Sequence, residues 1–362
     1  MGENNLNMFD KFNFSKMQPF LKKGRFYNSK NEIGNNIFSE YALMMHSGFH
    51  ELAIFFKSFL NYEKRNNLAS WIEQSNIMPH STEPSITWIG HATFLIQINN
   101  FNVLTDPIFG NATFLFPRIL PPGIILEKLP KIDFVLISHN HRDHMDEMSL
   151  VNLKKLNPYL KFLVPQGDKD WFLKKGFNCN DVQENLWWNQ LNFKNNDHSE
   201  IRFTFLPSKH WSQRSLFDYN KSLWGSWMVE SGFSSIYFAG DTAYSQHFNE
   251  ISNEFKNIDI ALMPIGPCEP RKKMCNSHVS AEESGQAFLD LNAKNFVPMH
   301  WGTFKFGTDK FALPIERIKK WWNMNSTKLN FKNLNLIKIG QKIEFKYAEL
   351  SKQVIGISTQ QV

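Results

Sequence analysis

Cysteine is scarce in this chain. The 362 residues include three, Cys179, Cys268 and Cys275. Cys268 and Cys275 lie further apart than the roughly two to four positions that are typical of a cysteine metal site. An odd number of cysteines without such spacing implies no disulfide framework. A metal site in this chain would therefore use nitrogen and oxygen ligands.

Long apolar runs are lacking at the start of the chain. The first forty residues are rich in Asn, Lys and Phe, and they contain neither a secretory signal nor a continuous apolar segment that could cross a bilayer. We therefore expect a cytoplasmic protein.

A strong charge of one sign is missing as well. The formal net charge of +6 and the pI of about 9.0 are weak indications of an anionic partner. The lysines are scattered without a dense basic cluster, so we expect no nucleic-acid partner.

Apolar residues, by contrast, are plentiful. With 42% hydrophobic residues, including 34 Phe and 11 Trp, the chain is predicted to be globular with a sizeable core.

Four segments differ in pattern. Residues 1–38 are polar and aperiodic, which predicts an amino-terminal arm without a catalytic role. Residues 39–80 predict an amphipathic helical segment, because apolar side chains recur at helical spacing between positions 41 and 62. The apolar face of that helix would pack on the catalytic domain or enter a membrane interface. Residues 81–350 predict the catalytic domain, and residues 351–362 a tail.

One stretch of six residues carries the densest chemistry, His139-Asn140-His141-Arg142-Asp143-His144. It directly follows residues 134–138, a short β-branched run that predicts a buried strand. Imidazoles and carboxylates are the usual ligands of zinc and similar ions, and crowding them together without a cation costs desolvation free energy. We therefore predict a metal site in this loop.

Three further candidate ligands also follow predicted strands. His210 comes after residues 201–206, Asp241 after residues 235–239, and His300 after residues 295–299. Because loops at the carboxyl ends of strands gather at one edge of an α/β sheet, we expect these side chains to converge on the central motif. Five histidines and two aspartates are then available, which is enough for two metal ions that share a carboxylate.

Asp106 directly follows another predicted strand, residues 102–105, and allows two interpretations. Its carboxylate would orient a ligating imidazole through the ring nitrogen that faces away from the metal, or it would only cap the turn before Pro107.

The loop that follows, residues 109–126, is apolar and carries a single charge, Arg118. This composition is typical of a pocket wall.

These motifs resemble those of the metallo-β-lactamase superfamily of dinuclear hydrolases, which carry His-x-His-x-Asp-His followed by further His, Asp and His ligands. Several segments, among them Trp88-Ile89-Gly90-His91-Ala92-Thr93, resemble those of the N-acylphosphatidylethanolamine-hydrolysing phospholipases D. Two more narrow the resemblance to this branch, Leu223-Trp224-Gly225-Ser226-Trp227 and His300-Trp301-Gly302-Thr303-Phe304. The resemblance implies an α/β protein with an αββα sandwich, in which helices flank two mixed β-sheets.

The resemblance also implies a ligand set and a reaction. The two ligand sets would be His139, His141 and His210 for one ion, and Asp143, His144 and His300 for the other, with Asp241 bridging. Both divalent ions would be zinc. A hydroxide held between them would attack the phosphorus of an N-acylphosphatidylethanolamine and release N-acylethanolamine and phosphatidic acid. Catalytic roles would fall to Asp143, Asp241 and His278.

Three residues are candidates for substrate contact. His278 resembles a pocket histidine of the family that would bind phosphate or protonate the leaving alkoxide, and the alternative is a histidine that only ends a helix. Arg214 would meet phosphate or a lipid head group, or it would lie solvated at the surface. Arg142 stands where the family usually has an aromatic residue, at the mouth of the pocket.

A second function on the same scaffold stays open, that of a lactonase or another hydrolase of a small substrate. An apolar pocket suits an acyl lactone as well as a lipid, so composition does not separate the two. For the phospholipase we expect a phospholipid substrate and a peripheral contact with a membrane. A homodimer is left open.

Overall fold

Two mixed β-sheets form the centre of the molecule. The structure, a computed structural model, describes residues 16–30, 65–232 and 234–347. Over these ranges the two sheets pack face to face around one buried cluster that joins side chains of both, such as Phe94 and Phe203. A second cluster packs helix residues Leu150 and Leu153 against Val135. The predicted αββα sandwich is confirmed.

The first sheet combines antiparallel and parallel pairing. Its strands are β3 (Ser85–Gly90), β4 (Thr93–Ile98), β5 (Phe101–Thr105), β6 (Phe134–Leu136), β7 (Lys161–Pro165), β8 (Val182–Asn185) and β16 (Lys342–Glu344). Their order is β16-β3-β4-β5-β6-β7-β8. Pairing is antiparallel from β16 to β5 and parallel from β5 to β8. The parallel strands require crossover connections, which place helices on the outer face.

The second sheet has the same arrangement. Its strands are β9 (Gln190–Lys194), β10 (Glu200–Leu206), β11 (Ser226–Ser231), β12 (Ser234–Phe238), β13 (Ile260–Pro264), β14 (Asn295–Met299) and β15 (Asn333–Leu334). Their order is β15-β14-β13-β12-β11-β10-β9, antiparallel from β9 to β12 and parallel from β12 to β15. The second half of the chain thus repeats the architecture of the first.

Two of the helices begin at strong caps close to the predicted metal loops. The helices are α1 (Glu147–Leu156), α2 (Lys169–Lys174), α3 (His247–Glu254), α4 (Arg271–Met274), α5 (Ala281–Leu291) and α6 (Leu313–Met324). The Asp146 carboxylate accepts a hydrogen bond from the Ser149 N–H at 3.0 Å at the start of α1. Ser280 forms a reciprocal capping box with Glu283 at the start of α5. Both caps fix the chain just after a candidate site residue.

The sequence also predicts that residues 336–339 and 342–347 are two strands of a closing hairpin, and this prediction is wrong. Strand β15 pairs in parallel with β14 in the second sheet, whereas β16 pairs antiparallel with β3 in the first. The segment between them crosses from one sheet to the other and bridges Ile339 to Ile72. Alternation along a strand does not show which sheet edge it joins, because every edge offers unpaired backbone groups.

A short hairpin falls within the predicted amino-terminal arm. Strands β1 (Phe20–Lys22) and β2 (Arg25–Tyr27) pair antiparallel. Phe26 is buried in the main core cluster, and its N–H donates to the Asn220 carbonyl at 2.8 Å. Residues 16–30 therefore pack on the catalytic domain.

The predicted helix at residues 41–62 lies outside the described residues. Within the ranges that the structure covers, no helix combines the length and the apolar character needed to cross a bilayer.

Candidate metal centre

The predicted ligands are brought together from both sheets. The central motif follows β6 in the first sheet, and His210, Asp241 and His300 follow β10, β12 and β14 in the second. Each ligand-bearing loop lies just past the carboxyl end of its strand. The convergence expected from the sequence is present.

The first group of ligands consists of three imidazoles. His139 Nε2 lies 2.9 Å from His141 Nδ1, and His210 Nε2 lies 3.3 Å from the same atom. Two nitrogens bound to one tetrahedral zinc are roughly 3.3 Å apart, so this spacing fits a shared ion. Burial lowers the pKa of His141 to about 4 and that of His210 to about 3, which leaves both rings neutral, as ligation requires.

The second group contains Asp143, His144 and His300, and the structure adds His91 to it. One ligand atom from each of the four lies within 4.8 Å of the others. Asp143 Oδ2 is 3.3 Å from His144 Nε2 and 2.9 Å from His91 Nε2. Burial raises the pKa of Asp143, but the neighbouring His144 outweighs it and holds that pKa well below its usual range.

Asp241 lies between the two groups. Its Oδ1 is 3.0 Å from His300 Nε2, and its Oδ2 is 3.2 Å from His144 Nε2. The same Oδ2 lies 3.9 Å from the Nε2 atoms of His139 and His210 in the first group. One carboxylate thus faces both candidate ions.

Several buried polar atoms at this centre make no hydrogen bond of normal geometry within the described residues, although His300 Nε2 and Asp241 Oδ1 lie 3.0 Å apart. They are His141 Nε2, His144 Nε2, His300 Nε2, His278 Nδ1 and Asp241 Oδ1. Buried polar groups are normally paired, and a cation would satisfy donor atoms of this kind. Burial lowers the pKa of His144, but Asp241 and Asp143 raise it well above its usual range, so binding of a cation would displace a proton from this ring. The residues fit a metal centre.

Hydrogen bonds behind the ligands fix their ring orientations. Asp106 Oδ2 lies 2.7 Å from His144 Nδ1 and accepts from the Ser138 hydroxyl at 2.5 Å. The His210 and His300 Nδ1 atoms lie 2.8 Å and 2.9 Å from backbone carbonyls. Such partners set the tautomer so that the other nitrogen faces the ion. Asp106 has the geometry of the ligand-orienting alternative.

His278 reaches this centre, with Nδ1 3.7 Å from Asp241 Oδ2 and a side chain that is 17% exposed. Arg271 donates to the His278 carbonyl at 2.9 Å and pairs with Glu283 at 2.5 Å. His278 is therefore held beside the ligands but open to a substrate, and its catalytic role stays a prediction.

The two arginines predicted to contact substrate lie above the central motif. Arg214 Nη1 donates to the carbonyls of Asn140 and Met145 at 3.0 Å and 2.7 Å, and its guanidinium carbon is 4.5 Å from the centre of the Trp171 ring. Arg142 is exposed and donates to the Arg214 carbonyl at 3.2 Å. Through these contacts Arg214 holds the central motif in place. A substrate role for either arginine stays a prediction.

Sequence reasoning missed His91 and Ser138. His91 lies in the Trp88-to-Thr93 motif, whose position between two strands gives no local sign of a ligand partner. Ser138 lies beside the ligands, and its hydroxyl is 2.9 Å from His139 Nδ1. For Ser138, the signal in the sequence was its position directly before the first candidate ligand, His139.

An apolar wall borders the centre on the His91 side. We use this name for Ile108, Ala112, Leu115, Phe116, Phe304 and Phe306. The ring centre of Phe304 lies 5.0 Å from that of His91, and that of Phe306 lies 6.3 Å from that of His300. The predicted apolar loop 109–126 contributes to this wall.

Known proteins share both sequence and fold with this chain. A profile described as the beta-lactamase superfamily domain matches residues 101–301. N-acyl-phosphatidylethanolamine-hydrolyzing phospholipase D 1 of Caenorhabditis elegans is 35% identical over 244 residues, which are 65% of this chain and 68% of that protein. The mitochondrial N-acyl-phosphatidylethanolamine-hydrolyzing phospholipase D of Saccharomyces cerevisiae is 36% identical over 243 residues, 64% of this chain and 50% of the yeast protein.

Solved structures agree on the fold. The metallo hydrolase Igni18 from Ignicoccus hospitalis superposes with a TM-score of 0.55 at 20% identity, covering 73% of this chain and 99% of that protein. At this level of identity the similarity concerns the fold alone.

Proposed function

Because the chain belongs to the metallo-β-lactamase superfamily and is a relative of the N-acylphosphatidylethanolamine-hydrolysing phospholipases D, we propose that it is a two-zinc phosphodiesterase acting on N-acylphosphatidylethanolamine. This superfamily and the sequence relatives named as phospholipases D together make the chain a metal-dependent hydrolase. The proposed reaction cleaves the phosphodiester and releases N-acylethanolamine and phosphatidic acid.

Asp241 is the observation that supports two ions most directly. Its two oxygens face His300 and His144 at 3.0 Å and 3.2 Å, and Oδ2 also lies within 3.9 Å of both His139 and His210. Paired ions roughly 3.5–4 Å apart activate a water nucleophile and stabilise charge on a phosphoryl oxygen. A carboxylate placed between the two ligand groups would hold such a pair together.

The chain itself would bind and orient the substrate around this centre. His278, which lies beside Asp241 and is partly exposed, would donate a hydrogen bond to the phosphate or a proton to the leaving alkoxide. The apolar wall would bind an acyl chain and exclude water beside the reacting phosphate. The apolar wall would thus suit the acyl chain of an N-acylated phospholipid, and His278 would suit its phosphate.

We extend this proposal to a peripheral membrane contact. Two loops beside the centre carry exposed apolar tips, Phe114 at 88% and Phe217 at 74% exposed. Phe116 of the first loop contacts Phe306 of the wall at 5.2 Å between ring centres, and Arg214 of the second loop holds the metal motif. Exposed aromatic side chains around a site are suited to the interface of a bilayer.

A substrate assay tests the proposed function. The purified full chain is incubated with N-acylphosphatidylethanolamine in mixed micelles and, separately, with an acyl lactone, each with and without a chelator. We expect chelator-sensitive release of N-acylethanolamine and phosphatidic acid, with two zinc ions per chain by elemental analysis. Turnover of the lactone without turnover of the phospholipid would overturn the proposal in favour of the alternative hydrolase.

A further inference from the structure

The backbone at His91 is held in an uncommon conformation. Its φ of 54° is left-handed, and His300, which lies against it, has a φ of 60°. The His300 N–H donates to the His91 carbonyl at 3.1 Å, and the two ring centres are 4.0 Å apart. Non-glycine residues are seldom left-handed, and such strain clusters at functional sites.

Two more partners fix this turn. The His91 N–H donates to the Thr303 hydroxyl at 2.6 Å, and Trp88 Nε1 donates to the His91 carbonyl at 3.0 Å. The side chain of His91 is 2% exposed. The ring therefore has one fixed direction.

That direction is toward a ligand. His91 Nε2 lies 2.9 Å from Asp143 Oδ2. A ring that donates through Nε2 to a carboxylate has no lone pair on that atom for a metal.

We propose that His91 is a positioning residue, which donates from Nε2 to Asp143 Oδ2 and so holds this carboxylate in place for the ion shared with His144 and His300. This inference deepens the proposed function and rests on its second metal ion, but not on its substrate. Hydrogen-bond partners of a ligand typically contribute about 10- to 100-fold to metal affinity.

Zinc titration tests this role. The full chain is stripped of metal and titrated with zinc against a chromophoric chelator, for wild type, His91→Leu and His91→Gln. The glutamine amide retains an N–H donor near the position of Nε2, whereas leucine has none. His198→Leu is the matched control, because His198 also has a left-handed φ, 68°, but is exposed in the turn between β9 and β10.

We expect His91→Leu to weaken one of the two zinc-binding events about 10- to 100-fold, with the other unchanged. His91→Gln should restore affinity to within about threefold of wild type, and His198→Leu should match wild type. Unchanged zinc affinity in His91→Leu would overturn the inference. So would a His91→Gln variant that binds as weakly as His91→Leu, since the ring itself would then be a ligand.

A spectroscopic measurement keeps the test decisive if His91→Leu does not fold. The absorption bands of cobalt(II) report its ligand set, so cobalt-loaded His91→Gln should give the wild-type spectrum. A changed band intensity would mean that an imidazole ligand has been lost and would refute the positioning role. Absence of phospholipid turnover, by contrast, would refute only the proposed substrate.

Discussion

At the scale of single residues, Asp241 is the side chain that both ligand groups share. Burial raises its pKa, but His144 and His300 outweigh burial and hold that pKa well below its usual range. The carboxylate is therefore charged at neutral pH in a site that is lined mainly by imidazoles. That negative charge is what a pair of divalent cations requires.

Replacing this charge should remove activity without unfolding the protein. Asp241→Asn keeps the side-chain volume but cannot supply an anionic bridge. We expect hydrolysis to fall by at least about 1000-fold, because removal of a single electrostatic stabiliser already costs roughly 100- to 1000-fold. Elemental analysis should show less than the full zinc content, while circular dichroism stays native-like.

Asp170→Asn is the matched control, since Asp170 is exposed on α2. It should have wild-type activity and metal content. Near-normal turnover of Asp241→Asn would contradict the bridging role.

Asp168 is a second informative residue, because it is buried beside the central motif without ligating anything. Its Oδ1 accepts from Asn140 Nδ2 at 3.0 Å, and burial raises its pKa to about 7, with Arg214 opposing the shift and Glu184 adding to it. The folded protein thus binds a proton here more tightly than the unfolded chain does. Stability should therefore fall as pH rises from about 4 to about 7 and be level above that range.

Asp168→Asn isolates this effect. The amide does not titrate, so the variant should lack this part of the pH dependence, whose upper limit is about 4 kcal/mol for a shift from an unfolded pKa near 4 to a folded pKa near 7. Urea unfolding of the metal-free proteins between pH 4 and pH 7.5 measures the difference. Parallel stability curves for wild type and variant would show that the carboxyl is charged in the folded state at neutral pH.

At the scale of elements, the amino-terminal hairpin packs on the two-sheet sandwich. Asn28, which follows β2, donates to the His210 carbonyl at 3.1 Å and accepts from Trp224 Nε1 at 2.9 Å. Its strand β2 is anchored by Phe26, which is 6% exposed. The hairpin therefore packs behind a loop that carries a ligand.

Truncating the anchor tests this packing. We expect Phe26→Ala to lower the free energy of unfolding by about 3 kcal/mol, because a buried aromatic side chain is removed and a cavity is left. Leu21→Ala, on the other strand of the hairpin and 54% exposed, should change it by less than about 0.5 kcal/mol. Urea denaturation measures both, and equal effects would mean that the hairpin does not dock in solution.

At the scale of the whole molecule, strongly exposed phenylalanine side chains lie both near the metal centre and far from it. Phe114 and Phe217 lie on loops beside the metal centre. Phe331 is equally exposed, at 87%, but it precedes β15, at the end of the second sheet opposite to the ligand-bearing loops. This difference in position offers a direct test of membrane contact.

We expect Phe114→Ser and Phe217→Ser each to reduce hydrolysis of N-acylphosphatidylethanolamine in vesicles about tenfold, because loss of apolar contact of roughly 1.4 kcal/mol corresponds to that factor. Hydrolysis of a soluble short-chain substrate should be unchanged, and Phe331→Ser should resemble wild type on both. Sedimentation with vesicles reports binding separately from turnover. Equal losses on the soluble substrate would indicate a pocket role instead of membrane contact.

The sequence by itself identified the candidate ligands and the class of fold. Residues 139–144 follow a buried strand, and this local pattern can be recognised from consecutive residues. The sandwich was implied by the resemblance of these motifs to those of a known superfamily. Imidazole and carboxylate chemistry restricts what such a cluster can bind, so a metal centre could be predicted without coordinates.

Only the tertiary structure decided how these pieces meet. The approach of His91 to Asp143 joins residues 52 positions apart, and the docking of Asn28 behind His210 joins residues 182 positions apart. The assignment of β15 and β16 to different sheets is of the same kind. These contacts depend on how the two sheets pack and on which sheet edges remain free. Local periodicity predicts neither, because it describes only residues that are close along the chain.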